Sequence, residues 1–277
     1  MEWLNTGGVY ASNLLLLLLV LTFFWMAGQL VLSIGFRQSS SLPHFSLSEH
    51  IFSGLLGFTL VLKLSFLLAL LGVFNKLSIS IMAALLVLAC GCIAIKEKAR
   101  PMSQLGMAQL NFGHGLVLAM TVILGLRSLF ILAGADDISY HLPYARAFVQ
   151  HEGLTVQEHL IYPLHTLEIN LLYALGFMLD DDHFIKLLNV SFMGLTGLLV
   201  FDYLAKKVGP WYALLAPLAL FSIERVHALS LVAYVDYAFT FFITAGVIAF
   251  LLWLENREKP AAVFYLIIAA VAVAEAA

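Results

Sequence analysis

Charge is scarce in this chain. Asp, Glu, Lys and Arg together make up 11% of 277 residues, against about a quarter in a soluble globular protein. With 62% of residues hydrophobic, no soluble core needs so much apolar surface, and the composition is that of a polytopic membrane protein. A net charge of −3 and the lack of any basic stripe interleaved with aromatics exclude a nucleic-acid surface, so nucleic acid is not an expected partner. Cysteine is nearly absent: Cys90 and Cys92 sit one residue apart in an apolar run, point in different directions on a helix, and read as packing residues. There is no basic stretch before the first apolar run and no short cleavable leader, so that run is expected to stay as a membrane anchor.

What the chain has in abundance is apolar length. Runs long enough to span a bilayer occur at about 10–36, 51–74, 79–95, 110–134, 184–205, 210–226 and 233–254, and an eighth begins near Ala261. This predicts an all-α, polytopic bundle of about eight spans. The chain divides into residues 1–109, N-terminal spans and cytoplasmic loops, and residues 110–277, a membrane region whose last run reads as interrupted at the C-terminus. The segment Leu164 to Leu179 is different. Its first half carries His165, Thr166, Glu168 and Asn170, and it reaches only about 24 Å as a helix.

Whether that segment crosses fixes the sidedness of everything after it, and the basic residues arbitrate. Lys96, Lys98 and Arg100 place the loop before the fourth span inside, in agreement with Arg37. If the segment lies on or dips into the outer face, Lys206, Lys207, Arg257 and Lys259 also fall inside; if it crosses, all four fall outside. The expectation is therefore a surface or re-entrant helix, accompanied by an amphipathic helix over Ser139 to Gln150 with Leu142, Ala145, Phe148 and Val149 on its apolar face. Ser139 reads as its N-cap. The outer face then gathers Asp136, Asp137, the acids at 180–182, Lys186 and Asp236.

Two charges fall inside spans, where an unpaired charge costs a few kcal/mol. Arg127 reaches the outer boundary by snorkelling. Lys63, near mid-span, calls for an interior partner that the sequence does not name. Nine histidines raise the question of metal, but no spacing matches a metal motif, and a divalent cation is left open as a cofactor. Asp236, at the head of a span, has a plain explanation as an acid favoured by a helix N-terminus, and Lys186 has one as an interfacial anchor. Neither explains why these groups share a face with an acidic pair.

The pattern Asp136-Asp137-x-x-Tyr140-His141-Leu142-Pro143, then Tyr162-Pro163, Lys186 at the head of a span, Lys206-Lys207 closing it and Val235-Asp236 opening a later one resembles the membrane glycosyltransferases of the GT-C superfamily. The nearest branch contains the protein O-mannosyltransferases, aminoarabinose transferases and bacterial lipopolysaccharide sugar transferases. The resemblance covers about Leu129 to Leu254. It implies a GT-C-like fold in which juxtamembrane helices follow an acidic pair in the first large external loop, and a polyprenyl-phosphate sugar as donor. It also implies a lipid, glycan or protein acceptor and a location in the bacterial inner membrane, with the active site on the extracytoplasmic face. Asp136 and Asp137 match the catalytic pair, Asp236 the later acid, and Lys186 a basic position that is commonly Arg. Asp137 stands where Glu is frequent, three spans precede the one that leads into the pair instead of one, and the spans that follow in the family are missing.

The chemistry is coherent with those residues. Transfer from a lipid-phosphate sugar needs a base for the acceptor hydroxyl, cations for the departing phosphate and a site at the water–lipid boundary. Asp136 is expected to serve as base with Asp137 in support; Lys186, Arg146 and Arg225 are expected to neutralise phosphate; Tyr140 and His141 are expected to orient sugar or acceptor. The rival readings are a transporter, in which Lys63 and Arg127 mark a pathway, and a noncatalytic membrane protein or enzyme fragment.

Overall fold

The computed structural model describes residues 2–35, 46–96, 110–128, 137–156, 158, 167–179, 182–259 and 262–276. All regular structure among them is helical. The elements are α1 (Glu2–Gly35), α2 (Leu47–Leu70), α3 (Lys76–Lys96), α4 (Phe112–Ser128), a π-helical turn (Asp137–His141) and α5 (Leu142–Gln150). They continue with α6 (Leu167–Met178), α7 (Asp182–Val208), α8 (Pro210–Ala213), α9 (Leu215–Ser222), α10 (Glu224–Leu229), α11 (Asp236–Asn256) and α12 (Ala262–Ala276). Helices dominate for a physical reason: hydrocarbon offers no partner to a backbone N–H or C=O, and a helix satisfies both internally.

Among the described residues five helices are long and apolar enough to cross a membrane: Ala11–Ile34, Leu47–Leu70, Lys76–Ile93, His183–Val208 and Asp236–Asn256. The chain is an integral membrane protein, and the other runs expected from hydropathy are shorter apolar helices among the described residues: Phe112–Ser128, Pro210–Ser222 and Ala262–Ala276. Among the described residues the 110–134 run is helical over Phe112–Ser128, and the eighth run is a 15-residue helix of about 22 Å. The 210–226 run is not one continuous helix. Pro217 has no N–H to give the carbonyl of Ala213, which separates α8 from α9, and extended Ile223 (φ −69°, ψ 124°) ends α9 before α10. Both prolines of this stretch are visible in the sequence; the apolar length masks their effect.

Small residues let the helices approach. A Cβ on Gly28 would lie 1.7 Å from the Ser53 carbonyl oxygen, and one on Gly57 would lie 1.7 Å from that of Phe24, so α1 and α2 touch backbone to backbone. Between α4 and α7, Gly125 faces Leu187, Thr121 faces Gly194, Val117 faces Gly197, and Gly113 faces Phe201. The numbers run in opposite directions, so α4 and α7 are antiparallel and the chain leaves α4 and enters α7 at the same end of the bundle. The segment from 129 to 181, with α6 inside it, therefore makes no net crossing. The bulk of the core lies between α2, α7 and α11, where Phe58, Phe192, Phe241 and Phe242 stack.

The bundle thus has two polar ends. At the Asp236 end lie the close of α4, α5, α6, the starts of α7 and α11, and the α2–α3 turn. That turn is strapped to the end of α5 by Phe74 N–H donating to the Glu152 carbonyl (2.7 Å) and Asn75 Nδ2 donating to the Glu152 carboxylate (2.9 Å). At the Lys206 end lie the starts of α2, α4 and α12 and the close of α7 and α11, where Lys207 Nζ pairs with Glu255 Oε2 at 2.5 Å. Single-cysteine labelling checks this arrangement: His183→Cys and Asp236→Cys are expected to react from one side of the membrane and Arg257→Cys from the other. Reaction of position 183 from the side of position 257 would mean that α6 crosses.

The amphipathic helix is present with two changes. It starts with a π turn at Asp137, so Ser139 lies inside the first turn and is not an N-cap, and its buried face is Tyr144, Ala145, Ala147 and Phe148. Leu142 and Val149 are only half-buried.

Candidate functional site

The side chains gathered at the Asp236 end come from the π turn, α4, α5, α6, α7, α10 and α11. The π turn presents Tyr140 and His141, both buried, with His141 only 2% exposed. His141 Nδ1 is 3.1 Å from Asn170 Oδ1 on α6, and its ring packs against Tyr140, Tyr173 and Tyr234. Tyr173, also on α6, donates its hydroxyl to the Tyr234 carbonyl just before α11 (3.0 Å). These bonds join the turn that begins at Asp137 to the turn that ends at Asp236. Asn189 on α7 completes the seam by donating Nδ2 to the Val232 carbonyl (3.2 Å).

Cations stand around this seam. Lys186, in the second turn of α7, is only 8% exposed. Arg127, in the last described turn of α4, has a buried Nε without a hydrogen-bond partner among the described residues. It lies close enough to the Tyr237 hydroxyl to act on it electrostatically, as does Asp236, and that hydroxyl donates to the Val226 carbonyl. Arg225 is exposed on α10 beside that carbonyl. The Arg146 guanidinium carbon lies over the Phe177 ring of α6, 4.7 Å from its centroid, a cation–π contact that joins α5 to α6. Its neighbour Tyr144 is fully buried, and burial pushes its phenol above the usual tyrosine range.

The acids of the pair are described unequally. Asp137 opens the π turn, whereas Asp136 lies outside the described residues, as do Asp181, His159 and Tyr162-Pro163. Asp236 is exposed in the first turn of α11. Among the described residues no group of three or more His, Cys, Asp or Glu could hold a metal ion.

Lys63 has its partners. Nζ lies 2.6 Å from each carboxylate oxygen of Glu168 on α6 and 3.1 Å from Glu275 Oε1 on α12. The partners are distant in sequence, which is why the charge pattern alone names neither.

A second polar cluster, at the Lys206 end, is one that the sequence pattern does not announce. Asp202 projects from α7 and is 7% exposed. Its Oδ2 accepts from the Ser48 hydroxyl, from Ser48 N–H (3.2 Å) and from Lys206 Nζ (2.8 Å). It therefore caps the first turn of α2 from a neighbouring helix. On α4, Asn111 Oδ1 accepts from Gly113 and His114 N–H while Asn111 N–H donates to His114 Nδ1, a reciprocal cap. That cap aims His114 Nε2 at Asp202 Oδ1, 3.6 Å away. Glu49 accepts from Ser46 N–H (2.7 Å) and from the Tyr265 hydroxyl of α12 (2.9 Å). The one visible signal is Asp202 four residues before Lys206 in an otherwise apolar helix.

The fold and these sites define a helical membrane protein with one elaborated polar end. Over 132 residues the chain is 30% identical to an uncharacterized protein of Shigella flexneri, a stretch covering 46% of this chain and 64% of that protein. No family model matches the sequence. No solved structure matches it.

Proposed function

We propose that this protein is a membrane glycosyltransferase of GT-C type, transferring a sugar from a polyprenyl-phosphate donor to an acceptor hydroxyl on the extracytoplasmic face of the bacterial inner membrane. The observation that carries the reading is the return of the chain to one end of the bundle between α4 and α7. It puts the π turn that opens at Asp137, the residue after Asp136 in the sequence, at the same end as Arg127, Lys186 and Asp236. In this reading Lys206, Lys207, Arg257 and Lys259 are cytoplasmic, as the positive-inside bias requires, and the broken passage through α8, α9 and α10 together with α4 and α12 supplies the remaining crossings.

In the proposed reaction the Asp136 carboxylate takes the proton of the acceptor hydroxyl as its oxygen bonds to the anomeric carbon. The bond from that carbon to the phosphate oxygen breaks with its electron pair, and polyprenyl phosphate departs. Lys186, Arg127 and Arg225 offset the charge that develops on the phosphate. Arg146, already stacked on Phe177, is assigned chiefly to holding α5 against α6. Tyr140 and His141, tied to Asn170, Tyr173 and Tyr234 through the His141 ring, are positioning residues that fix the turn that follows the acids.

The direct test is donor choice. Membranes containing the protein are expected to consume a polyprenyl-phosphate sugar and to ignore nucleotide sugars. Transfer from a nucleotide sugar with none from the lipid-linked form would remove the reading.

A further inference from the structure

The ion cluster of α2, α6 and α12 is unbalanced. One ammonium, Lys63, faces two carboxylates, Glu168 and Glu275. The Glu275 side chain is 2% exposed, and its Oε2 is buried without a hydrogen-bond partner among the described residues. Fully ionised, the cluster would carry a net negative charge and leave a buried carboxylate oxygen of Glu275 bare, which is unfavourable. A proton on Glu275 removes the excess charge.

The charged groups of the neighbouring helices stand elsewhere: on α5, packed on α6, Arg146 lies over Phe177, and His141 just before α5 faces Asn170. α11, the other helix packed on α12, carries no charged side chain from Tyr237 to Leu254. On α7 the charged group at the same height is Lys186: Asp202 is bonded to Ser48, and both Lys63 and Lys186 lie about 22–24 Å from that bond along their helices. Lys186 is not among the ion-pair partners of either glutamate. The remaining charged groups of α7 near its start are at the helix terminus, and α1 carries none between Asn5 and Gly35.

Glu168 lies two residues before Asn170 and five before Tyr173, the two α6 side chains that bond His141 and the Tyr234 carbonyl. Whatever holds Glu168 therefore sets the height and rotation of α6 in the polar seam. We propose that Lys63, Glu168 and Glu275 form a proton-operated latch that docks α6 against α2 and α12 when one extra proton is bound and frees it when that proton leaves. The latched state binds the additional proton, so raising the pH favours release. Linkage of a single proton changes the docked-to-undocked ratio by up to about tenfold per pH unit. The inference does not depend on glycosyl transfer, because it is read from the position of a helix.

Spin labels at Leu70 and Leu179, both exposed, report that position once Cys90 and Cys92 are replaced by serine. In the full chain, reconstituted in nanodiscs of zwitterionic lipid, the distance distribution is expected to be narrow at pH 6 and to broaden and lengthen at pH 9. Glu275→Gln, which copies the protonated carboxyl in shape and charge, is expected to give the narrow distribution at both. Lys63→Met is expected to give the broad one at both. The same distribution at both pH values in the native sequence, or a Glu275→Gln chain that responds to pH as the native one does, would overturn the latch. The Glu275→Gln comparison remains decisive if Lys63→Met fails to fold.

Discussion

Asp136→Asn is expected to lower turnover by about 10²- to 10⁴-fold, the usual contribution of a positioned general base, while donor binding and membrane insertion stay near the native level. A base must sit within hydrogen-bond reach of the acceptor hydroxyl, so the outcome depends on which of two adjacent carboxylates is held there. In the sequence Asp136 comes just after the apolar run 110–134, and its neighbour begins a helical run that continues from Asp137 through Gln150. That run gives Asp137 a fixed backbone as well, which makes the comparison between them the informative measurement. Asp137→Asn is expected to be the milder change. Near-native turnover for Asp136→Asn sinks the base assignment, and a larger loss from Asp137→Asn moves the role one residue along. Asp236→Asn, across the seam, is expected to fall between the two.

Features governed by neighbours along the chain are legible in the amino-acid sequence itself. The apolar runs that form α2, α3, α7 and α11 can be placed within a few residues of their ends, because a helix in hydrocarbon must be long, apolar and self-satisfied. The non-crossing of α6 is legible for another reason: if Leu164 to Leu179 crossed, four basic residues would change sides. Features that depend on pairing across the bundle are not legible. Lys63 visibly needs a partner, but Glu168 and Glu275 lie on two other helices. Asp202 gives little sign of its role, because that role is to cap a helix that starts at Leu47. The break over 210–226 sits between these cases, since the prolines are in view while hydropathy windows average over them. At the candidate site the sequence marks the acids and the basic residues. It does not mark the seam of His141, Asn170, Tyr173 and Asn189 that joins the two turns, since each of these residues is unremarkable until packing brings it to a partner.

Asp202→Ala is expected to destabilise the folded chain by about 2–4 kcal/mol, the largest stability loss for any single substitution at the Lys206 end. Removing one partner of a fully buried ion pair costs about 3–5 kcal/mol, but the Lys206 side chain is half exposed and can turn to water. That discounts the ionic part. Ser48 cannot escape in the same way: it is buried, and both its N–H and its hydroxyl lose their acceptor. Each buried donor left unsatisfied costs about 1–3 kcal/mol. The N–H also belongs to the first turn of α2, where no carbonyl of the helix itself is available to it. Asp202→Asn keeps an oxygen toward Ser48 and loses only the charge, so it is expected to cost about half as much. Reversible unfolding in detergent micelles measures both variants. Pairing Asp202→Ala with Ser48→Ala is expected to give a coupling of about 1–2 kcal/mol, because the second substitution removes the hydroxyl that the first leaves unpaired. An Asp202→Ala chain within about 0.5 kcal/mol of native, the range of ordinary surface substitutions, would show that α2 is not capped by α7 and that its first turn finds another acceptor.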